Sequence, residues 1–556
     1  MTSCEDPLPG GDEEGEGTST PTPTPSVQVS EVINWMDQRL KKEYYWMDEY
    51  NQKHGNFDLS LKWDEFLGKT LLSLRTNGDD GNVDYEGKRY LYSYVHRTPS
   101  TKALDATRAS LPTVTGYGIE PSPYIVGASS IDGYEKGDYC FVIEHTYSGS
   151  PAANAGLRRG DVILKADGKK ITDATYEDIW DRILAASQGS TTLSVRVFND
   201  KTEKYEFKDV SLTTSSFEQN PIAFYDLLNV NEKYYAIGDK KIGYLSYLGF
   251  ESELNDDLIE ALSYLAARGV TDLILDLRLN GGGSVDTSTM LGSMLLSEDY
   301  VRKTYATLKR NPENKLFPQN ELDTECLIVK NGIGEEFENT DLPNLNLPEL
   351  WVITSSYTAS ASEMVIKGLE GLDVPVKLVG KTTNGKNCGM DVMEKVFGTY
   401  KYTYAPITFM NYNAKGDNDY SDGIKPGAPV VSGVSGVDFD KHYSPANPTK
   451  DDLSYECYAF PIPRANWAEL NFTKSENGGY NFSGDFALYE TVLRICGRTM
   501  LRSTASLSQV DIKFAEMATT RAMKAREVYD SGIVSTRRAY GATLTEAERL
   551  AIERAK

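Results

Sequence analysis

The most informative residues for the class of fold are Leu273-Ile274-Leu275-Asp276-Leu277-Arg278-Leu279-Asn280-Gly281-Gly282-Gly283. The first five of them are typical of a buried strand, and three glycines follow soon after. Strands and helices alternate on both sides of this stretch, with strands predicted at 242–245, 350–354 and 376–379 and helices at 255–268 and 360–369. This alternation predicts an α/β core in which helices cover a central sheet.

The glycines Gly281 to Gly283 suggest a place where charge could be stabilised. Glycine has no side chain, so backbone N–H groups at the end of the strand can face outward without obstruction. Donors aimed in this way are what an oxyanion hole requires. A glycine triplet by itself is equally compatible with a tight turn or a phosphate-binding nest.

A serine-rich segment, Tyr357-Thr358-Ala359-Ser360-Ala361-Ser362-Glu363, joins a predicted strand to a predicted helix. A serine at this sharp junction lies at the edge of the sheet, where the helix N-terminus favours negative charge. The same residues also fit a capping box, in which a serine and a glutamate each bond the other's backbone. Ser360 is therefore either a candidate nucleophile or a helix cap.

A third segment contains two lysines in a glycine-rich turn: Gly380-Lys381-Thr382-Thr383-Asn384-Gly385-Lys386-Asn387. A phosphate-binding P-loop would need glycine at position 375, which is proline. Lys386 taken alone reads as a solvated surface lysine.

One segment upstream of the core resembles the PDZ domains of bacterial proteases. It consists of Ser150-Pro151-Ala152-Ala153-Asn154-Ala155-Gly156-Leu157, followed by Gly160-Asp161 and the Asp167-Gly168 turn. It predicts a short helix ended by glycine, a strand and a tight turn. Such domains bind an extended peptide as an added strand and often hold its C-terminal carboxylate on backbone N–H groups. We expect this loop at Gly116, Tyr117, Gly118 and Ile119; alternatively the domain only packs between its neighbours.

Taken together and in this order, the three core segments resemble the carboxyl-terminal processing (tail-specific) serine proteases. That family shows D-L-R-x-N-x-G-G, then S-A-S-x-E, then a G-K pair, and here Lys386 follows Ser360 by 26 residues. The resemblance covers about residues 115–500 and includes Asp422-Gly423-Ile424-Lys425-Pro426.

The resemblance implies a crotonase-like (ClpP/crotonase) α/β protease core with Ser360 as nucleophile and Lys386 as general base. We expect no cofactor or metal. It also implies an oxyanion hole formed by the N–H of Gly282 or Gly283 together with that of Ala361. The chemistry agrees, because a serine hydroxyl needs a base to take its proton, and desolvation keeps a lysine neutral enough to do so.

One position departs from the family pattern. Family members often carry glutamine four residues after the lysine, where it helps to orient the amine, and this chain has Met390. We expect Glu363 to take part of that role, and Met390 to help exclude water from Lys386.

Composition limits the partners. The net charge of −23 argues against nucleic acid or an anionic membrane surface as the main partner. Six scattered cysteines without a CxxC pair and four dispersed histidines without HExxH predict neither a disulfide framework nor a metal site. Protein or peptide substrates are the expected partners, and the sequence leaves the oligomeric state open.

The first residues, Met1-Thr2-Ser3-Cys4, resemble the end of a bacterial lipoprotein signal, with Cys4 as the lipidated residue. The acidic run that follows is similar to the surface-export signal of lipoproteins in the Bacteroidetes lineage. These features predict an extracytoplasmic protein of the cell envelope, anchored to the outer membrane only through lipid at Cys4. The alternative is an ordinary disordered tail with an incidental cysteine.

We therefore predict five parts: a disordered acidic and Thr/Pro-rich tether at 1–28, a helical N-terminal domain at 29–112, a PDZ-like peptide-binding domain at 113–215, the protease core at 216–500, and a helical appendage at 501–556. The leading functional hypothesis is a serine endopeptidase acting on extended or C-terminal segments. Two alternatives remain, a peptide-binding or scaffold protein with an impaired site and a non-peptidase hydrolase or acyl-binding protein of crotonase-like architecture.

Overall fold

The computed structural model describes residues 29–74, 80–83, 89–99, 113–126, 139–159, 161–172, 174–184, 188–199, 204–230, 238–330, 342–426, 434–438, 471–472, 486–496 and 514–516. The predicted tether at 1–28, including Cys4, lies outside these residues. No helix within the described ranges is both long and apolar enough to cross a membrane.

The N-terminal region contains three helices followed by short strands: α1 (Glu31–Glu43), α2 (Met47–Lys53), a 3-10 turn (His54–Asn56), α3 (Trp63–Leu71), β1 (Asn82–Val83), β2 (Arg89–Tyr90) and β3 (Tyr94–Pro99). Ser30 caps α1, its hydroxyl accepting the N–H of Ile33. Where a helical domain was expected at 29–112, the described residues form helices between 31 and 71 and strands from residue 82 to 99.

Strand β3 ties this region to a distant part of the chain. It pairs antiparallel with Tyr400–Ala405, with Tyr94 opposite Ala405 and Pro99 opposite Tyr400. Helical residues such as Met36 and Phe66 share one hydrophobic cluster with Tyr404 and Ile407. The described residues between 29 and 99 therefore pack as a part of the core, and the PDZ region is an insertion between two segments that pack together.

The inserted region is a small β-rich unit: β4 (Thr113–Gly116), β5 (Ile119–Val126), β6 (Tyr139–Thr146), α4 (Pro151–Asn154), β7 (Val162–Ala166), β8 (Lys169–Lys170), α5 (Tyr176–Leu184), β9 (Ser190–Asn199), β10 (Lys204–Thr213) and β11 (Ser215–Glu218). Asp167 and Gly168 both have positive φ, of 48° and 76°, as the tight turn between β7 and β8 requires. The predicted helix, turn and strand are all present. Helix α5 packs its apolar face on the sheet through Ile179 and Ile183.

The core follows: β12 (Ile222–Leu227), β13 (Asn229–Val230), β14 (Ile242–Tyr247), α6 (Asn255–Ala267), β15 (Asp272–Asp276), α7 (Val285–Leu295), β16 (Thr304–Arg310), β17 (Asp323–Leu327), β18 (Leu350–Thr354), α8 (Ala361–Gly371), β19 (Val376–Gly380), β20 (Cys388–Gly389), β21 (Met393–Phe397), β22 (Tyr400–Ala405), β23 (Phe409–Asn413), β24 (Val434–Asp438), β25 (Asn471–Phe472), α9 (Phe486–Ile495) and β26 (Phe514–Glu516). Three 3-10 turns lie at Ser252–Leu254, Glu298–Tyr300 and Gln319–Glu321.

The central sheet has the strand order β12-β14-β15-β18-β19-β24. All its pairs are parallel except β12 with β14. Strands β15, β18 and β19 are buried over their length except Lys377, since helices α6, α7 and α8 pack over the sheet. Because neighbouring parallel strands end at the same edge, the loops after β15, β18 and β19 emerge side by side.

Three smaller sheets complete the described core: β17-β16-β23-β20, β21-β22-β3 and the two-stranded β13-β25. Most of the predicted helical appendage at 501–556 lies outside the described residues, and its described part, β26, is a strand. That strand pairs antiparallel with β5 of the inserted region, with Phe514 opposite Val126 and Glu516 opposite Tyr124.

Candidate active site

Ser360 occupies a strained turn between strand β18 and helix α8. Its backbone has φ 56° and ψ −117°, a conformation that residues other than glycine rarely adopt. Such strain costs about 1–3 kcal/mol and is found at positions that must present a side chain in one direction. The predicted strand-to-helix junction is confirmed.

Glu363 links the turn that contains Ser360 (the serine turn) to the loop that contains Lys386 (the lysine loop). Its carboxylate is fully buried and accepts the N–H groups of Ser360 (2.9 Å), Gly385 (2.6 Å) and Lys386 (2.9 Å) and the hydroxyl of Thr383 (2.6 Å). Burial raises the pKa of Glu363 to about 7, and the four donated hydrogen bonds oppose that rise. We expected Glu363 to orient the lysine, and the contact found is with the lysine's backbone, so it positions the loop that carries the amine.

A second segment supports the lysine loop from the other side. Thr383 and Ile424 are joined by hydrogen bonds from Thr383 N to Ile424 O (3.2 Å) and from Ile424 N to the Thr383 hydroxyl (2.7 Å). Gly385 has φ 93° and Gly423 has φ 83°, and a Cβ on Gly385 would lie 2.7 Å from the nitrogen of Gly423. The Asp-Gly-Ile-Lys-Pro segment of the sequence is thus a structural partner of this loop.

The structure brings Ser360 and Lys386 to one pocket. Its lining residues are Gly283, Val285, Ser360, Ala361, Met364, Lys386, Cys388, Gly389, Met390, Phe409 and Asn411. Lys386 is only 4% exposed, so it is not the solvated surface lysine that its sequence context suggests. Its Nζ lies 3.8 Å from the sulfur of Met390, a weak acceptor, at the position where the family often carries glutamine.

The glycine loop after β15 approaches the serine very closely. A Cβ on Gly282, which has φ 106°, would lie 2.7 Å from Ser360 Cβ and 2.9 Å from Ala361 N. The N–H of Gly282 donates to Asn280 Oδ1 at 2.9 Å, so this one of the two glycines expected as oxyanion donors already has an acceptor. Among the described residues no acceptor is found for the N–H of Gly283 or Ala361, and both residues line the pocket.

Asn280 was not singled out by the sequence reasoning, although it belongs to the D-L-R-x-N-x-G-G pattern. Its side chain is fully buried, accepts the N–H of Gly282 and donates to Tyr247 O at 3.1 Å. Its carbonyl accepts the N–H of Ala359 (3.3 Å) and the hydroxyl of Ser362 (3.1 Å). Asn280 therefore holds the glycine loop and the serine turn together.

The predicted peptide-binding loop lies in the inserted region and does not line the pocket of Ser360 and Lys386. The carbonyl of Tyr117 accepts the N–H of Ala152 (3.0 Å), and that of Gly118 accepts the N–H of Tyr147 (3.1 Å). Gly118 has φ 73° and lies directly against Ser150, which leaves no room for a side chain. Gly116 ends β4 and Ile119 begins β5.

No group of three or more potential metal-binding side chains occurs within the described part of the chain. The site chemistry described above consists of a serine, a lysine, a carboxylate and backbone N–H groups.

The site thus combines an α/β core with a strained serine and a buried lysine. Comparison with known proteins identifies the protein family in which two regions of this chain find matches. Residues 241–430 match the model of Peptidase family S41, and residues 142–197 match that of the PDZ domain. These two regions therefore carry a peptidase S41 domain and a PDZ domain, and the resemblance to the carboxyl-terminal processing proteases is confirmed.

Individual relatives with similar sequences are named as proteases of the same kind. The chain is 25% identical over 304 residues to a carboxyl-terminal-processing protease of Picosynechococcus sp., covering 54% of this chain and 64% of the relative. It is 24% identical over 256 residues to a probable CtpA-like serine protease of Staphylococcus aureus, covering 46% of this chain and 44% of the relative. The chain thus spans less than two thirds of the length of either relative.

Among solved structures, a putative S41 protease from Bacteroides fragilis shares the fold, with a TM-score of 0.52 and 24% identity. The match covers 73% of this chain and 91% of that chain. The predicted fold class, an α/β protease core with a PDZ domain, is confirmed.

Proposed function

We propose that this chain is a serine endopeptidase in which Ser360 is the nucleophile and Lys386 the general base. The observation that carries the proposal is that both side chains line one pocket while Glu363 bonds the backbone of each. No histidine lines that pocket. Burial and the apolar walls favour the neutral amine that a general base requires.

The reaction then proceeds by acyl transfer. Ser360 Oγ attacks the carbonyl carbon of the scissile bond while its proton passes to Lys386 Nζ, and the carbonyl oxygen becomes an oxyanion. The N–H groups of Gly283 and Ala361 are the proposed donors to that oxyanion. The lysine returns the proton to the leaving amine, and water then hydrolyses the acyl-enzyme by the same route.

The proposed substrates are proteins or peptides with extended or C-terminal segments that bind the PDZ domain. Such binding adds a strand to a sheet edge. In this domain the edge of β5 that faces away from β6 pairs with strand β26 of the same chain, which supports β5 as an edge able to take a strand. We propose Gly116 to Ile119, which connect β4 to β5, as the loop that receives the peptide end.

Cleavage of fluorescently labelled casein tests the catalytic assignment. We expect Ser360→Ala and Lys386→Ala to lose at least about 1000-fold in kcat/KM, because each removes a group that forms or activates the nucleophile. Matched controls are Ser252→Ala and Lys395→Ala, which change exposed residues outside the pocket and should retain full activity.

Full activity of either pocket variant would contradict the assignment. The second candidate, a peptide-binding protein with an impaired site, is favoured by one observation, the thioether of Met390 beside the amine. It predicts equally negligible cleavage by the wild type and Ser360→Ala, together with binding of unfolded protein by both.

We further propose an extracytoplasmic location in the cell envelope with a lipid anchor at Cys4. Expression behind a lipoprotein leader, followed by membrane fractionation of wild type and Cys4→Ala, tests it. Release of the variant into the soluble fraction is expected, and equal membrane association of both proteins would contradict the anchor.

A further inference from the structure

A tyrosine of the N-terminal region reaches the proposed catalytic lysine. Tyr92 precedes strand β3, and the centre of its ring lies 5.4 Å from Lys386 Nζ. Its hydroxyl donates to Asn384 Oδ1 at 3.0 Å, two residues before the lysine in the same loop. One side chain thus contacts the lysine loop at both its amide and its amine.

The position of Tyr92 is fixed by a buried carboxylate. Asp80 is fully buried and accepts the N–H groups of Tyr92 (3.2 Å) and Ser93 (2.8 Å), and the hydroxyl of Tyr44 (2.9 Å). The hydroxyl of Ser93 in turn accepts the N–H of Ile407 at 2.9 Å. These bonds join the segment to the first helices on one side and to the core on the other, so the ring is held in place from both directions.

The lysine requires such a partner. A primary amine on a flexible four-carbon chain must be held near the serine to act as its base, and this ordering is a large part of catalysis. The sulfur of Met390 is a weaker hydrogen-bond acceptor than the amide oxygen of a glutamine. An aromatic face within about 6 Å attracts an ammonium group through its quadrupole.

We infer that Tyr92 is a positioning residue for Lys386, which fills with an aromatic ring the role that the family often gives to a glutamine. This inference rests on the proposed function. During attack by Ser360, the O–H bond breaks and the proton passes to Nζ, so the lysine becomes an ammonium as the new C–O bond forms. The ring of Tyr92 favours that charged form, and therefore stabilises the transition state as well as the orientation of the chain.

Three substitutions at this position separate the ring from the hydroxyl. Tyr92→Phe keeps the ring and loses the bond to Asn384, whereas Tyr92→Leu and Tyr92→Met fill the space without a ring. The matched control is Tyr94→Leu, which removes a tyrosine two residues further on, buried against the ring of His96 and away from the pocket. Steady-state cleavage of labelled casein gives kcat and KM for each, and thermal unfolding verifies the fold.

We expect Tyr92→Phe to keep kcat within about threefold of the wild type, and the Leu and Met variants to lose about tenfold in kcat with KM unchanged. Tyr94→Leu should lower the melting temperature and leave kcat within about twofold. Recovery of kcat by phenylalanine is the result that a merely structural role would not produce.

Several outcomes would overturn the inference. A ring-free variant with wild-type kcat would exclude a positioning role, and a raised KM at unchanged kcat would instead make Tyr92 part of the substrate-binding wall. A phenylalanine variant as slow as leucine would assign the effect to the Asn384 bond. If Lys386→Ala is fully active, the proposed function itself fails; if Lys386→Ala is inactive while the ring-free variants are not, only this inference fails.

Discussion

Gly282 is the residue whose substitution most directly tests how the site is assembled. In a Gly282→Ala variant the new Cβ would lie 2.7 Å from Ser360 Cβ, 2.8 Å from Ala359 O and 2.9 Å from Ala361 N. Two of these three contacts are with backbone atoms, which cannot rotate away. The glycine loop, the serine turn or both must therefore shift.

Two terms contribute to the energetic effect. A non-glycine residue at positive φ costs about 1–2 kcal/mol, and an extra methyl group forced into a packed site costs about 1–3 kcal/mol. The free energy of unfolding should thus fall by about 2–5 kcal/mol. The effect on catalysis should be larger, because a displacement of about 1 Å at a reacting group can reduce the rate about 100-fold.

The assay compares kcat/KM on labelled casein with the free energy of unfolding in urea for Gly282→Ala and for Gly416→Ala. Gly416 also has positive φ, 74°, but a Cβ there meets no atom within 4 Å. The control should therefore lose about 1 kcal/mol of stability, with no loss of activity. A Gly282→Ala variant with wild-type kcat/KM and stability would refute the reasoning that this glycine is needed for close approach to the serine.

Three further predictions concern the surrounding network and the PDZ domain. Because burial raises the pKa of Glu363 from 4.5 to about 7, the folded protein binds its proton more tightly than the unfolded chain, and the free energy of unfolding should fall by about 3 kcal/mol between about pH 4.5 and 7. Urea unfolding at several pH values should show this fall in the wild type relative to Glu363→Gln, and a constant difference between the two proteins would contradict it. Thr383→Val removes a donor to Glu363 and the acceptor of the Ile424 N–H, and should lower the free energy of unfolding by about 1–3 kcal/mol in the same assay; unchanged stability would show that the hydroxyl does not support the loop. Gly118→Ala forces a side chain against Ser150 and should raise KM for casein without slowing the labelling of Ser360 by a fluorophosphonate; an unchanged KM would argue against a binding role for this loop.

Much of the core could be predicted from its pattern of residues. Strands β14, β18 and β19 and helices α6 and α8 occur within about two residues of their predicted bounds, since apolar periodicity and glycine or serine boundaries are local signals. The PDZ turn at Asp167-Gly168 could also be predicted from the sequence, because only a few residue types adopt positive φ in succession.

Other features depended on contacts between distant residues. The region after residue 82 was predicted helical by extension, whereas β3 is a strand because it pairs with β22, about 300 residues further along the chain. The N–H of Gly282 donates to Asn280 Oδ1, a bond that no periodicity in the sequence reveals. Nothing in the sequence indicates that Tyr92 lies near Lys386, since the two residues are distant along the chain and meet only in the folded structure.

The groups available for chemistry can be identified from the residue pattern alone: a serine at a strand-to-helix junction, a lysine in a glycine-rich loop and a run of glycines after a buried strand. That they line one pocket follows from the three-dimensional arrangement of the strands. Parallel pairing of β15, β18 and β19 brings their following loops to one edge of the sheet. The buried carboxylate of Glu363 then fixes the serine and lysine loops against each other, because each of its oxygens must find donors once water is excluded.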